Sequence, residues 1–555
     1  MNARTVMWIL TVAAGLCACA ADPASSQRQP EPKAQLFSGM GDHKRPTSTT
    51  SIQAQAYFDQ GLVWAYAFNH DEAIRSFQKA AELDPSFAMA WWGVALCNGP
   101  HINNPVMTEQ RSKAAFDAAQ IALRLKPGAS PVERALIDSV AARYAWPAPA
   151  DRRPLDEAYA AAMRTSFEQF PGDGDVAVLY AESLMDLQPW DLWTLDGQPK
   201  GQAVVIVQVL EGVLARNPSH PGAAHLYIHA VEASPSPQRA AAAADTLRQL
   251  VPTSGHLTHM PSHIDIRTGK YPAAAEANRK AIAADAAYRK LSPRQDFYRA
   301  YMQHNQQFLS FSCMMLGRSD EAIAAGKAAV QTLPAEWIRE NAAVMDGYMT
   351  VYMDALKRFG RWDELIALEQ PPAYLPYTTA MWRFNRGVAF AALGRIPEAQ
   401  AERDRFVQAC KAVPEGAIAQ INPAARVLEL ARHVLDGEIA YARRDYPAAV
   451  AQLRDAIAIE DTLQYMEPPD WMQPARHTLG AVLLDAGRPG EAEEVYREDL
   501  SRWPDNGWAL LGLARALEAQ GKSAQAQATR DRQRQAWATA DIDPHASCLC
   551  APMPN

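Results

Sequence analysis

Residues 54–85 read AQAYFDQGLVWAYAFNHDEAIRSFQKAAELDP, and this stretch decides the fold of the 555-residue chain. Small and aromatic residues recur in it at helical spacing and a proline closes it, in the order Gly61, Ala73, Phe77, Ala80 and Pro85. Side chains three or four residues apart share one face of a helix, and a proline ends a helix. The stretch therefore predicts two short helices that touch where the small residues lie.

The same phase returns along the chain. It recurs in the sets Gly480, Ala492, Tyr496 and Pro504; Trp508, Gly512 and Ala524; Gly387 and Ala399; Gly437 and Ala449; and Ala322, Ala329 and Pro334. This spacing resembles the 34-residue tetratricopeptide repeat, which is a pair of helices. The resemblance implies an all-α tetratricopeptide-repeat solenoid, a superhelix of at least nine helix pairs with inserts, over residues 53–535. In such a superhelix the first helix of each pair lines a concave groove.

Three further segments are distinctive. They are Ala88-Met89-Ala90-Trp91-Trp92-Gly93, Pro189-Trp190-Asp191-Leu192-Trp193 and His259-Met260-Pro261-Ser262-His263. With these segments the chain resembles, over most of its length, a group of exported bacterial tetratricopeptide lipoproteins. This resemblance implies the fold and no particular activity, so the function has to be argued from the residues.

Residues 1–18 predict an export signal of the lipoprotein type. Their apolar run from Val6 to Leu16 is too short to span a bilayer as a permanent helix. The segment Leu16-Cys17-Ala18-Cys19 resembles the bacterial lipobox, which implies that Cys19 is lipidated and begins the mature chain. Ala18-Cys19-Ala20 also fits an ordinary cleavage site. The lipobox interpretation implies a location in the cell envelope, at the outer membrane and facing the periplasm.

Two terminal segments lie outside the predicted solenoid. Residues 19–52 are rich in Pro, Ser, Gln and Lys, which is typical of a flexible tether behind a lipid anchor. Residues 536–555 form a tail that contains Cys548-Leu549-Cys550. Its sulfur atoms are soft ligands that suit copper(I), and a frayed end is the alternative interpretation.

Charge and composition narrow the classes of partner that the protein can bind. The formal net charge of −8 and the absence of a basic run interleaved with aromatic residues exclude a nucleic-acid partner. Apart from the export signal no segment predicts a membrane span, so we expect membrane contact through the lipid anchor only. An envelope protein or peptide in the groove remains a partner of the kind that repeat arrays bind.

Histidine is concentrated in one part of the chain, since six of its 13 histidines lie between residues 220 and 263. The repeat phase places the candidate ligands at groove positions of three consecutive repeats. They are His225, His229 and Glu232 in the first repeat, His256, His259 and His263 in the second, and His304 in the third. Imidazoles four residues apart on a helix lie about 5–6 Å apart at Cβ, close enough to share an ion. The His-rich groove centred on residues 220–304 therefore predicts a site for one or two transition-metal ions.

The sequence does not select the ion, because copper, iron and zinc all accept imidazole ligands. Pro261 allows two local structures: either the helix is kinked there, or it starts near Pro261 and leaves His256 and His259 on a loop. A pH-responsive groove of metal-free imidazoles is the alternative to metal binding.

Weaker candidates lie in two other places. His101 falls in an insert, residues 98–105, that is expected to fold onto the binding face as a further ligand or to form a plain turn. Glu182 and Asp186 are reserve carboxylates. They precede a second insert in which Trp190 and Trp193 either wall a substrate pocket or fill a packing gap.

These features predict a cell-envelope metalloprotein, with a metal-dependent oxidoreductase or hydrolase activity as one form of it. A non-catalytic scaffold for an envelope protein or peptide and a metal storage or delivery protein are the alternatives.

Overall fold

A computed structural model describes residues 33–293 and 295–551. The predicted export signal and Cys19 lie outside the described residues. In the first half of the chain the α-helices are α1 (Ile52–Tyr66), α2 (His70–Leu83), α3 (Ala88–Asn98), α4 (Glu109–Leu125), α5 (Pro131–Ala142), α6 (Arg153–Gln169), α7 (Gly174–Met185), α8 (Ala203–Arg216), α9 (Pro221–Val231), α10 (Ala241–Leu250), α11 (Gly255–His259), α12 (Pro261–Arg267) and α13 (Tyr271–Leu291).

The second half continues in the same way. Its α-helices are α14 (Tyr298–Met315), α15 (Ser319–Gln331), α16 (Ala335–Glu340), α17 (Ala342–Met345), α18 (Val351–Arg358), α19 (Trp362–Ala367), α20 (Pro376–Ala392), α21 (Ile396–Cys410), α22 (Ala424–Ala442), α23 (Tyr446–Glu460), α24 (Ala475–Asp485), α25 (Pro489–Arg502), α26 (Gly507–Ala519) and α27 (Ser523–Ala536). Short 3-10 turns occupy Lys126–Gly128, Pro237–Ala240 and Asp346–Tyr348, and a two-residue antiparallel ladder pairs β1 (Ile418–Ala419) with β2 (Asn422–Pro423).

Glycines and aromatic rings at fixed positions hold the helix pairs together. The Phe77 ring of α2 lies between α1 and α3, so close that a Cβ added at Gly61 or at Gly93 would come within 2.8 Å or 2.5 Å of it. Tyr496 of α25 occupies the same position between Gly480 and Gly512, where an added Cβ would approach to 2.3 Å and 2.1 Å. Only glycine leaves room for a ring at these helix contacts. The predicted phase and the all-α superhelix of helix pairs are thus confirmed.

The superhelix closes on itself. Near its start, the Tyr288 hydroxyl of α13 donates to Glu72 Oε2 of α2 at 2.9 Å. Near its end, the indole N–H groups of Trp508 and Trp537 donate to the carbonyls of Met314 and Met315 at 2.7 Å and 3.0 Å. Both ends therefore pack on the middle repeats, and the groove of those repeats is enclosed instead of open.

The N-terminal segment differs from the predicted tether over residues 33–51. The Phe37 ring packs edge-on against Trp64 with 5.6 Å between centroids. The Arg45 guanidinium donates to Asp173 at 2.8 Å and to Asp175 at 3.0 Å. An apolar anchor and a buried ion pair outweigh the polar composition of this segment, so it binds along the helical body as a strap.

The C-terminal tail is likewise packed. Cys548 and Cys550 are bonded to each other and buried, and the Ser547 hydroxyl donates to the carbonyl of His477 at 2.7 Å. The interpretation of the tail as a frayed end is therefore wrong for residues 545–551. None of the described helices combines the length and the apolar character that crossing a bilayer requires.

Candidate metal centre

Six histidines from three consecutive repeats meet inside the closed superhelix. His225 and His229 lie on α9, His256 and His259 on α11, His263 on α12 and His304 on α14. Five of the six histidines are buried. Among these five, His225 and His259 have no exposed surface, and His229 is the most exposed, with 7% of its surface accessible. The repeat phase predicted that these residues share one surface, and the closure of the array turns that surface into an interior.

Pro261 kinks the second histidine helix without ending it. Met260 keeps helical backbone angles, and its N–H donates to the carbonyl of His256 at 3.1 Å. The Ser262 hydroxyl donates to the carbonyl of His259 at 2.7 Å, which gives that carbonyl a partner beside the proline. The kinked-helix alternative is therefore confirmed, and both His256 and His259 are helical. In the third repeat, α14 begins at Tyr298 and carries His304.

The imidazoles form two groups of three. In the first trio, His225, His229 and His256 each place a ring nitrogen within 4.8 Å of the others. In the second trio, His259, His263 and His304 do the same. The trios are adjacent, with ring centroids 5.6 Å apart between His229 and His263. The arrangement offers three nitrogen donors at each of two neighbouring points.

Hydrogen bonds orient the first trio. The Nδ1–H of His225 donates to the backbone carbonyl of Tyr66 at 2.6 Å, and the Nδ1–H of His229 donates to Glu232 Oε1 at 3.0 Å. A carbonyl and a carboxylate only accept, so the proton of each ring is on Nδ1 and the lone pair is on Nε2. The Nε2 of His225 lies 3.1 Å from the Nε2 of His256.

The second trio is oriented in the same manner. The Nδ1–H of His259 donates to Asn278 Oδ1 at 2.8 Å, and the Asn278 amide N–H₂ donates to the carbonyl of Ala274 at 2.8 Å, which fixes the amide. The Nδ1 of His263 lies 2.7 Å from Glu232 Oε2 and 3.1 Å from Glu467 Oε2, which are ion-pair contacts. In three of the six rings, those of His225, His229 and His259, an acceptor outside the trio thus holds the Nδ1 proton and leaves the Nε2 lone pair facing inward. Metal-bound histidines have this outer shell.

Glu232 connects the two trios. Its two oxygens contact His229 and His263, one ring from each trio. Burial would raise the pKa of Glu232, but the charges of His263 and His229 outweigh burial and lower this pKa to about 2. The sequence predicts Glu232 as a metal ligand; the structure places it behind the rings as the acceptor that orients them. Glu232, His263 and Glu467 do lie close enough to form a further donor group, but it draws on the same histidine.

Glu467 completes the outer shell, and the sequence pattern does not predict it. It lies in the loop between α23 and α24, has no exposed surface and contributes the second carboxylate at His263. Burial raises the pKa of Glu467 to about 8. Burial opposes protonation of His263, yet the charge of Glu232 prevails and raises the pKa of His263 to about 10. Two buried carboxyl groups on one imidazole therefore favour a positive charge at this ring.

The remaining rings are held neutral. Burial lowers the pKa values of His225, His256 and His259 far below the ordinary histidine range, with the neighbouring imidazoles adding to the effect. Burial also lowers the pKa of His304, to about 3. Metal binding requires the neutral ring, so these four are in the binding form at neutral pH.

His101 does not reach either trio. Its ring stacks on Phe68 with 4.4 Å between centroids, and Phe68 in turn lies 4.6 Å from the His225 ring. The Nδ1 of His101 accepts from the backbone N–H of Asn103 at 3.3 Å. Because Phe68 separates it from the trios, the prediction of His101 as an additional ligand is wrong.

The reserve carboxylates also have other roles. Asp186 accepts from the buried Arg143 guanidinium at 2.5 Å. Burial raises the pKa of Glu182 to about 8, so this carboxyl is largely protonated at neutral pH. Among the residues that the structure describes, neither belongs to a group with metal-ligand spacing.

A small pocket reaches the centre from the second insert. Trp190, Trp193 and Gln188 line it together with His229 and Glu232. The Trp190 indole N–H donates to Asn103 Oδ1 at 3.0 Å, and its ring lies 5.2 Å from that of His229. Trp190 holds a positive φ of 60°, a conformation that costs energy for a large side chain and often marks functional sites. The aromatic residues of the insert therefore wall a small pocket beside His229, and its use by a substrate stays a prediction.

Comparison with known proteins agrees with the fold. The tetratricopeptide repeat family matches residues 54–87 and residues 483–536. The chain thus carries tetratricopeptide repeats in both of these segments, within an all-α solenoid. No curated protein matches its sequence.

Solved structures that resemble the chain include three repeat proteins. Human IFIT1, in a dimer with m7Gppp-AAAA, is 12% identical with a TM-score of 0.33, over 88% of this chain and 91% of that one. Cut9 with Hcn1, from the APC/C hetero-tetramer, is 14% identical with a TM-score of 0.32, over 86% and 79%. Yeast Tom70 is 10% identical with a TM-score of 0.28, over 87% and 90%.

Proposed function

We propose that this protein is a metalloprotein in which each histidine trio binds one transition-metal ion. The observation that carries the proposal is the shared orientation of His225, His229 and His259. Each has an acceptor for its Nδ1 proton outside the trio and an Nε2 lone pair directed inward. Uncompensated lone pairs repel one another, whereas a cation between them is stabilised.

The donor set favours copper. Both trios consist of imidazole alone, and the nearest carboxylate, Glu232, is engaged by two Nδ1 groups. Non-haem iron sites of the oxygenase type combine two histidines with a carboxylate ligand, which neither trio supplies. Among divalent ions of the first transition row, nitrogen sites bind copper most tightly, and zinc is the other common partner of imidazole. We therefore assign copper to the pair of sites and regard zinc as the competing ion.

The arrangement supports redox chemistry on a small molecule. Three protein ligands leave a coordination position open on each ion, as in catalytic and not in structural sites. The pocket walled by Trp190 and Trp193 ends at His229 and, at about 20 Å³, has room for a molecule of about the size of water beside the first trio. A metal-dependent oxidoreductase is thus our first assignment, and a hydrolase is the corresponding assignment for zinc.

The cellular location is part of the proposal. The export signal at residues 1–18 and the lipidated Cys19 would place the centre in the cell envelope, at the outer membrane and facing the periplasm. Replacement of Cys19 by Ala is expected to release the protein from the membrane fraction. Retention of the variant in that fraction would rule out the anchor.

A scaffold for an envelope protein or peptide is the alternative function, because repeat arrays commonly bind protein partners. The histidine surface itself is a poor peptide site, since its rings are buried and the array closes over them. A scaffold would use an outer surface instead. Metal storage or delivery would show binding without turnover.

Metal analysis of tag-free protein tests the proposal. Reconstitution with copper(II), zinc or iron(II) is expected to give about two copper ions per chain, one for each trio. His229→Ala and His259→Ala should each retain about one ion, and the double variant none. His433→Ala is the matched control, because His433 contacts Gln452 and Arg432 away from the trios. Absence of bound metal after reconstitution, or equal metal content in all variants, would overturn it.

A further inference from the structure

A second cluster of metal-binding atoms lies in the C-terminal half of the chain. Cys548 and Cys550 face a buried pocket between α18, α22 and α24, where Lys357, Glu438 and Gln473 also contribute to the wall. Both cysteines are buried, with 3% and 5% of their surface exposed. None of these residues belongs to the histidine trios, and the function proposed above leaves them unused.

The segment that carries the sulfurs is firmly anchored. The Ser547 hydroxyl bonds to the Tyr496 hydroxyl at 2.6 Å and to the carbonyl of His477 at 2.7 Å. The Arg358 guanidinium donates to the Ser547 carbonyl at 3.2 Å. These three bonds at one residue hold the neighbouring sulfur atoms at this pocket.

The sulfur atoms are surrounded by groups that suit a thiolate. Cys548 Sγ lies 3.3 Å from the backbone N–H of Cys550 and 3.7 Å from the Gln473 amide nitrogen, both of which donate. Glu438 Oε1 lies 3.9 Å from the same sulfur, and Cys548, Cys550 and Glu438 each place a donor atom within 4.8 Å of the others. Hydrogen-bond donors stabilise the negative charge of a thiolate and lower its pKa.

A buried ion pair lies beside the two sulfur atoms. The Lys357 ammonium lines the same pocket, over the Trp471 ring at 4.8 Å and 3.5 Å from Asp354, so the charges of Lys357 and Asp354 offset each other. The softness of the two sulfur donors, and not the charge of the pocket, therefore favours a soft ion such as copper(I).

We propose that Cys548 and Cys550, in their reduced form, bind one soft monovalent metal ion such as copper(I) in the buried pocket that Lys357 and Glu438 line. The disulfide seen between them is the oxidised form. Two external thiols reduce it, delivering two electrons and two protons to the two sulfurs and leaving as one external disulfide. Binding then releases two protons as the thiols become thiolates. The site is independent of the histidine trios, because its donors are soft sulfur atoms.

A titration with copper(I) under anaerobic conditions tests this site. The full-length protein and its Cys548→Ser/Cys550→Ser variant are both reduced with excess thiol, freed of it, and titrated against a copper(I) chelator. The native protein is expected to take up about one more high-affinity copper(I) per chain than the variant. X-ray absorption should show copper–sulfur scattering that the variant lacks.

Two controls separate the outcomes. Cys410→Ser removes a free cysteine outside the pocket and should keep the additional ion. His229→Ala/His259→Ala disables the trios and should also keep it, so a failure of the histidine proposal leaves this one testable. Equal copper(I) uptake by the reduced native protein and the double cysteine variant, with both folded by circular dichroism, would overturn the proposal.

Discussion

The Nε2 atom of His259 lies 2.8 Å from the Nε2 atom of His263 in the buried interior of the array. The Nδ1 groups of both rings face acceptors on their other sides, so two lone pairs meet unless a proton or a cation lies between them. The apoprotein must keep a proton there, in agreement with the raised pKa of His263, and a metal ion would replace it.

Copper(II) is expected to raise the Tm of the apoprotein, because an ion that binds only the folded state stabilises that state. At a free ion concentration one hundred times the Kd, each site contributes about 2.7 kcal/mol. Differential scanning calorimetry with and without copper measures the shift. His229→Ala/His259→Ala should show none. A native Tm that stays constant or falls with copper would contradict two-site binding.

Glu232→Gln should weaken both metal sites, since this carboxylate orients one ring of each trio. Loss of such an outer-shell acceptor typically costs about 10–100-fold in metal affinity. Glu467→Gln should weaken only the second trio, because Glu467 contacts His263 and no histidine of the first trio. Competition with a chelator measures both affinities.

Glu276→Gln is the matched control for these two variants, since Glu276 is an exposed partner of Arg279. Equal affinities in Glu232→Gln and Glu276→Gln would show that Glu232 has no orienting role.

Gly480→Ala should destabilise the array, because the added Cβ would lie 2.3 Å from the Tyr496 ring. Overpacking of this kind typically costs about 1–3 kcal/mol. Gly490→Ala is the control, since a Cβ at Gly490 has no neighbour within 4 Å. Urea unfolding followed by circular dichroism compares the two. A Gly480→Ala variant as stable as Gly490→Ala would mean that the ring position between two glycines tolerates a methyl group.

Asp285→Asn should flatten the pH dependence of stability. Burial raises the pKa of Asp285 to about 7, against the hydrogen bonds from Asn305 and Tyr298 that lower it. The folded state therefore binds this proton more tightly than the unfolded state, whose pKa is near 3.9. The contribution of Asp285 to stability is fully present below that value and is lost as the pH rises towards 7.

Thermal unfolding between pH 5 and pH 8, a range of about three units around the raised pKa, measures this effect. The native protein should lose more stability across the range than Asp285→Asn. Parallel pH profiles for the two proteins would assign the dependence to other groups.

The sequence predicts the repeat phase well, because Gly61 and Phe77 obey a local steric rule that recurs along the chain. The same phase correctly brings His225 to His304 together. Closure of the superhelix depends on contacts such as Trp508 with Met314, about two hundred residues apart, which no periodicity encodes. Glu467 is missed for the same reason: it lies in a loop whose path follows from that closure.

Other differences have local causes. The polar composition of residues 33–51 predicts a tether, yet one ring and one guanidinium suffice to fix that segment on the body. His101 lies on an insert, where the sequence pattern predicts a ligand. The pattern contains nothing about Phe68, whose ring separates His101 from the histidine trios.

The closed superhelix also controls how fast the centre exchanges its contents with the medium. Bulky chelators cannot contact the five buried rings, and the pocket beside Trp190 that reaches His229 is small. Metal loss would then follow the opening of the array, at a rate set by local unfolding and not by the strength of the ligand bonds. Because both ends of the superhelix pack on its middle, the metal would enter the centre while the chain folds. The rate at which the array opens, and not the affinity of the sites, would then determine how long the metal stays bound.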